Sequence, residues 1–267
     1  MNPIRVQRDG PVTWLILDEP RRANPLTGPT IQALREALAE AAADEEVRAV
    51  IFRGEGKHFS AGIDMETLKQ MGDRSPEENL ADSRIFEGLF QDLLPHPCLT
   101  IAAVQGAAVG GGCGLATACD FVVAAEDARF QYTEVKIGFM PALVSTFLAR
   151  RVAGHVTRRL LLDPEFLSAE QAREIGLVDE IVPRESLESR ARETAISVCA
   201  KSPRSALAAT KKLLFETPGR SLGEALRVAA EVNSRQRMTA DCQHGVRTFL
   251  ETKSTPDWLQ NPAPQDS

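Results

Sequence analysis

One stretch constrains the fold more than any other: Gly106-Ala107-Ala108-Val109-Gly110-Gly111-Gly112-Cys113-Gly114-Leu115-Ala116, directly after the strand-forming run Thr100 to Val104. A chain leaving a buried strand through such a turn and entering a small-residue helix sets unpaired N–H groups at the strand's end. There they carry partial positive charge and can hold a negative oxygen. Glycine also permits tight strand–helix packing, so the residues alone leave ligand binding and packing open. The dinucleotide spacing G-x-G-x-x-G and the phosphate loop G-x-x-x-x-G-K-[ST] both fail to fit, which disfavours nucleotide phosphate at this turn.

The same alternation repeats along the chain. Val12 to Leu17 reads as a strand ending at Asp18-Glu19-Pro20, and Ile31, Leu34, Leu38 and Ala42 recur at helical spacing within Pro29 to Ala43. Ala49 to Phe52 predicts a strand and Met65 to Met71 a helix. Phe121 to Ala124 predicts another strand. Ser168 to Ile175 predicts a helix with Ser168 and Gln171 as reciprocal caps, followed by a short strand at Val178 to Val182. Alternating strands and helices imply α/β units. After Pro183 the segments Glu185 to Ala200, Ser205 to Phe215, Ser221 to Arg237 and Gln243 to Thr252 read as helices with no strand between them. The expected organisation is a core over 1–200, a helical region over 201–254 and a loose, proline-containing tail over 255–267.

With 267 residues, the chain holds one large domain or one with an appendage. Formal charge of −6 and only 5% aromatic residues argue against nucleic acid, whose phosphates and bases reward cations and stacking rings. Cys98, Cys113, Cys119, Cys199 and Cys242 are odd in number and form no C-x-x-C pair, so reduced thiols in a cytoplasmic setting are expected, without a zinc site. No apolar run is long enough for membrane insertion, and Met1 to Arg8 has no signal-like core.

A second strand-to-helix turn, Lys57-His58-Phe59-Ser60-Ala61-Gly62-Ile63-Asp64-Met65, could aim its N–H groups at the same point as the glycine-rich turn. His58, between a lysine and a phenylalanine, reads as a surface histidine rather than a base. Asp64 reads as a helix cap rather than a proton acceptor. The third segment, Ala128 to Gly138, contains Glu134 in a mixed apolar setting. A solvated glutamate beside Lys136 is the plain reading, whereas desolvation would raise its pKa toward general acid/base use.

In order, spacing and character these three segments resemble the enoyl-CoA hydratase/isomerase (crotonase) family, together with Arg22-Ala23-Asn24-Pro25-Leu26, Leu167 to Ala172 and Gly176-Leu177-Val178. The resemblance implies a spiral of β-β-α turns with a C-terminal helical trimerisation region, assembled as a homotrimer or homohexamer. It implies an acyl-CoA substrate, with coenzyme A as part of the thioester and no permanently bound cofactor. By the same resemblance the N–H groups of Ile63 and Gly111 form an oxyanion hole and Glu134 moves the proton. The backbone near Ala61 meets the adenine, and Arg22 and Lys253 offer charge to the phosphates. Ala23, Gly62, Asp64, Met65, Leu68, Gly110 and Gly114 complete the expected binding set. Met65 to Met71 and Leu89 to Leu93 are expected to line the acyl pocket.

One departure stands out: hydratases of the family place a second glutamate at the position of Gly114, which has no side chain for that task. A lone carboxylate suits proton transfer between α and γ carbons, as in the family's isomerases. The segment Thr133 to Ser145 instead resembles the branch with methylglutaconyl-CoA hydratases, some of which also carry glycine there. Hydration of an unsaturated thioester is therefore expected ahead of isomerisation. Decarboxylation or carbon–carbon cleavage, and an inactive acyl-CoA-binding scaffold, are the competing readings.

Overall fold

The computed structural model describes residues 2–263. In chain order its strands are β1 (Ile4–Asp9), β2 (Val12–Leu17), β3 (Pro25–Leu26), β4 (Ala49–Gly54), β5 (Gly62–Ile63), β6 (Leu99–Val104), β7 (Ala107–Val109), β8 (Phe121–Ala125), β9 (Arg129–Gln131), β10 (Leu167–Ser168) and β11 (Glu180–Val182). The helices are α1 (Gly28–Ala43), α2 (Met65–Met71), α3 (Pro76–Leu93), α4 (Gly111–Ala118), α5 (Ala142–Arg151), α6 (Gly154–Leu162), α7 (Ala169–Glu174), α8 (Leu187–Lys201), α9 (Arg204–Glu216), α10 (Leu222–Gln236) and α11 (Ala240–Thr252). The α/β class expected from the alternation is what forms.

The main sheet runs β1-β2-β4-β6-β8-β11, parallel except for the β1–β2 hairpin. Its inner strands are apolar on both faces because both faces are covered. On β2, Leu15 and Leu17 join the core under α1, α3 and α4, while Val12, Trp14 and Ile16 meet α8. Leu187, Ala191, Ala195 and Cys199, four residues apart, form the stripe by which α8 covers that second face. A second, three-stranded sheet of order β10-β9-β7 and the β3–β5 pair carry the chain past the ends of the main strands. That is where the site lies.

No residue of α9, α10 or α11 is buried. Nevertheless α9 is latched to the core, since Lys211 donates to the Cys98 carbonyl at 2.8 Å and to Asp120 at 2.6 Å. The expected loose tail is corrected for residues 255–263. Trp258 is buried, its N–H donates to the Ala200 carbonyl at 2.9 Å, and its ring meets His244 edge-on. An aromatic ring that size gains more by covering α8's end than by staying in water. The remainder of that expected tail, 264–267, lies outside the described residues.

Candidate active site

Two turns converge here, and different devices hold them. The first leaves β4 and ends at β5. Asn24, buried with a left-handed φ of 54°, directs its amide nitrogen at the carbonyls of Glu55, His58 and Phe59, within 2.9–3.2 Å. Ser60 donates to the Asn24 carbonyl at 2.7 Å and accepts from the Gly62 N–H at 3.1 Å. The Ala23 carbonyl, also left-handed at φ 57°, accepts the Ala61 N–H at 2.8 Å. His58 is half-buried; its Nδ1 accepts the Ala107 N–H at 3.1 Å, tying the first turn to the second. It is not the surface histidine expected, and burial, then Lys57, Arg129 and Arg184, lower its pKa.

The second turn is held by the absence of side chains. A Cβ on Gly106 would lie 2.1 Å from the Lys57 carbonyl oxygen, and one on Gly112 would lie 2.6 Å from the Ser60 Cβ. Gly110 precedes α4 at φ 51° and donates to the Gln131 carbonyl at 2.8 Å. Gly111, first residue of α4, has an N–H with no intrahelical partner and none elsewhere among the described residues. A Cβ on Gly62 would approach the Gly111 nitrogen to 3.0 Å, so the two turns touch.

Glu134 opens a short 3₁₀ turn, Glu134–Ile137, beside that contact. A Cβ on Gly110 would stand 3.3 Å from its Oε1, which puts the carboxyl over the start of α4. Glu134 is 9% exposed, forms no ion pair with Lys136, and its buried Oε2 has no hydrogen-bond partner. Desolvation raises its pKa, against a weaker opposing backbone hydrogen bond. The plain reading of a solvated glutamate therefore fails.

Ile63, Gly111, Glu134 and Phe139 border two lobes at once. The outer lobe, about 370 Å³, also gathers Arg22, Ala61, Asp64, Met65, Leu68 and Gly110. Asp64 caps α2 through the Thr67 N–H at 3.2 Å, as expected, and also accepts from Arg22 at 2.8 Å. Burial alone would raise the Asp64 pKa; those donors outweigh it and hold it below the usual carboxylate range. The inner lobe, about 100 Å³, is apolar apart from Glu134, Asp82 and Ser83.

Several expected residues are placed elsewhere. Gly114 borders neither lobe: it is buried in α4, and a Cβ there would lie 2.6 Å from the Val144 Cγ2 of α5. Gly62 and Ala23 act from behind the lobes as backbone supports. Lys253 caps α11 at φ 59°, its Nζ donating to the Leu250 carbonyl at 3.1 Å, and does not reach the pocket of its own chain. Of the expected segment Leu89 to Leu93, Phe90 does line the inner lobe, joined by Phe86 one turn earlier, while Leu89 and Leu93 are core residues. Tyr132 hydrogen-bonds Thr117 at 3.1 Å, sealed in the core. Asn24 and Ser60 were not singled out by sequence reasoning, although Asn24 sits inside the motif Arg22 to Leu26. An asparagine immediately before a proline, in a turn, was the available signal.

Paired backbone turns facing a desolvated carboxyl across a two-lobed pocket define an α/β enzyme site that can stabilise a carbonyl oxygen while a proton moves nearby. The sequence pattern of the family described as "Enoyl-CoA hydratase/isomerase" matches residues 7–261. A putative enoyl-CoA hydratase from Thermus thermophilus is 42% identical over 91% of this chain and 96% of its own length. A crystal structure of an enoyl-CoA hydratase from Mycobacterium smegmatis superposes with TM-score 0.88 at 30% identity, covering 97% of this chain and 99% of that one. Pseudomonas aeruginosa AtuE gives 0.89 at 31% identity over 97% and 100%. The chain belongs to the enoyl-CoA hydratase/isomerase family.

Proposed function

We propose that this enzyme adds water across the double bond of a 2-enoyl-CoA, with Glu134 as its proton-transfer group. The carrying observation is the unpartnered, desolvated Glu134 carboxyl between the two lobes. The thioester oxygen accepts from the N–H groups of Ile63 and Gly111. Glu134 removes a proton from water as the water oxygen bonds to C3; the C2–C3 electron pair shifts into an enolate held at the oxyanion hole. C2 then takes a proton back from Glu134, restoring the thioester. One oxyanion donor contributes roughly 3 to 4 kcal/mol to such a step. The pantetheine and nucleotide lie over the outer lobe, with the adenine near Ala61 and Arg22 turned to the phosphates. Relatives named as hydratases support hydration.

A second reading has its own support. The Gly114–Val144 packing crowds a second carboxylate at position 114, which favours α-to-γ proton transfer by Glu134 alone. Turnover of crotonyl-CoA against a 3-enoyl-CoA separates the two. In either case Glu134→Gln, folded by circular dichroism, is expected to lose about 100 to 10,000-fold in turnover with little change in CoA affinity. Near-native rates in that variant would remove Glu134 from the mechanism.

The assembly is proposed as a homotrimer or homohexamer in the cytoplasm. Leu214, Leu222, Leu226, Val246, Phe249 and Leu250, all half or more exposed on α9–α11, support burial between copies. Lys253 would meet CoA phosphates only in such an assembly. Four buried free cysteines fit a reducing compartment. Light scattering that gave a monomer at micromolar concentration would overturn the assembly.

A further inference from the structure

The inner lobe holds a second carboxylate, which proton transfer by Glu134 does not use. Asp82 lies on α3, and with Phe86 and Phe90 at successive intervals of four residues it forms the stripe that this helix turns to the lobe. We propose that Asp82 is a positioning residue for the attacking water, accepting one of its O–H groups while Glu134 takes the proton of the other. The proposal rests on the hydration reading above, and it draws from α3 the second carboxylate that Gly114 of α4 cannot supply.

Two free acceptors on one small lobe carry the assignment. Glu134 Oε2 is buried there without a hydrogen-bond partner. Asp82 accepts from Arg74 Nη1 through Oδ2, and among the described residues its Oδ1 has no partner. A water has two O–H groups to give, and giving one to each carboxyl leaves its lone pairs for the carbon under attack. At about 100 Å³ the lobe has room for about three waters of about 30 Å³ each, so a water held there stays close to both groups. Both also approach the oxyanion turn: Glu134 Oε1 lies 3.3 Å from where a Cβ on Gly110 would stand, and Phe86 Cε1, on the Asp82 stripe, 3.7 Å from where one on Gly111 would stand. Ser83, the lobe's remaining polar side chain, donates its hydroxyl to the Asn79 carbonyl at 3.0 Å and is the weaker, uncharged acceptor.

The surroundings divide the work between the two carboxyl groups. Desolvation raises the Glu134 pKa, which suits a group that takes a proton and returns it. The ion pair of Asp82 with Arg74 occupies Oδ2 alone, so the carboxyl is held in place while Oδ1 remains an acceptor. In the step, the water oxygen bonds to C3, one water proton passes to Glu134 and on to C2, and the other stays on the oxygen as the product hydroxyl. No proton passes to Asp82. Exchange of the C2 protons of a saturated thioester needs Glu134 and the oxyanion donors but no attacking water, so Asp82 has no part in it.

The test follows two reactions in the same variants: hydration of crotonyl-CoA, and exchange of the C2 protons of butyryl-CoA in heavy water, read by NMR. Asp82→Asn is nearly isosteric and keeps a carbonyl oxygen for Arg74. It is expected to lower kcat for hydration by about 10 to 100-fold, the range for a hydrogen bond to a charged group, while exchange changes less than about threefold. Asp82→Ser, too short for either contact, should show the same split and decides the matter if Asp82→Asn fails to fold by circular dichroism. Undiminished hydration in the folded variant, or equal loss in both reactions, would overturn the role of Asp82 and leave hydration by Glu134 standing. A wild type that does not hydrate crotonyl-CoA, whatever its exchange rate, would overturn the hydration reading and this proposal with it.

Discussion

The two turns that meet at the site do the same job by opposite means. Between β4 and β5 the chain is pinned by side chains: Asn24, Ser60 and His58 supply hydrogen bonds to or from turn backbone groups. Between β6 and α4 it is pinned by close approach, with Gly106 and Gly112 pressed against Lys57 and Ser60 backbone. The difference predicts how each fails. Removing a hydrogen-bonding side chain orphans its partners and costs a graded amount, whereas adding one carbon to a filled space forces backbone to move.

The largest expected effect therefore comes from Gly112→Ala. Its Cβ would stand 2.6 Å from the Ser60 Cβ and 2.7 Å from the Ser60 carbonyl oxygen, neither of which can swing away. A loss of about 3 kcal/mol or more is expected in urea unfolding, or failure to fold. The neighbouring Gly111→Ala is the control. Its Cβ meets nothing nearer than 3.6 Å, and alanine favours helix, so stability should change by less than about 1 kcal/mol. Equal tolerance at both positions would show that packing does not hold this turn.

Asn24→Ala comes next. It removes the donor facing three carbonyls and the acceptor of the Glu19 N–H at 3.0 Å. About 2 to 3 kcal/mol should be lost, near the upper end for orphaned buried groups. Because the turn positions Ile63, kcat should fall further than stability alone explains when assayed well below the melting temperature. Stability loss with unchanged kcat would make Asn24 a structural residue only.

What the sequence revealed follows the same division. Local signals were readable: the Ser168–Gln171 capping box forms at 2.9 and 3.2 Å, Asp64 caps α2, and the β2, β4, β6 and β8 strands follow their apolar runs. Two local signals were present and unused. Asp9-Gly10 closes the β1–β2 hairpin with Gly10 at φ 57°, but β1 buries only Ile4 and leaves Val6 exposed, so no alternation marks it. Ser75 and Glu78 cap α3, an eighteen-residue helix, in a stretch that reads as loose because of Gly72 and Pro76. Non-local facts were out of reach. That Val144 fills the space at Gly114, or that α3 turns Phe86 and Phe90 rather than Leu89 and Leu93 to the pocket, depends on how distant elements dock. No spacing within one segment encodes it.

The smallest expected effect tests the point on which both turns converge. Glu134 has an ordinary pKa of 4.5 when unfolded, raised in the folded protein chiefly by desolvation. Between those two values the folded state binds more protons than the unfolded one, so stability falls as pH rises through the window. Above it the folded protein carries a buried, unpartnered carboxylate at a constant penalty, and below 4.5 both states are protonated and the penalty is gone. Glu134→Gln removes the titration and leaves the amide's own desolvation as a pH-independent offset. The melting-temperature difference, variant minus wild type, should thus be most positive near about pH 8 and shrink steadily toward about pH 4. The sign distinguishes this from a carboxylate held by cations, whose removal would destabilise at high pH instead. A difference that stayed flat with pH would mean that Glu134 titrates as if in water, and the two turns would then enclose no desolvated site.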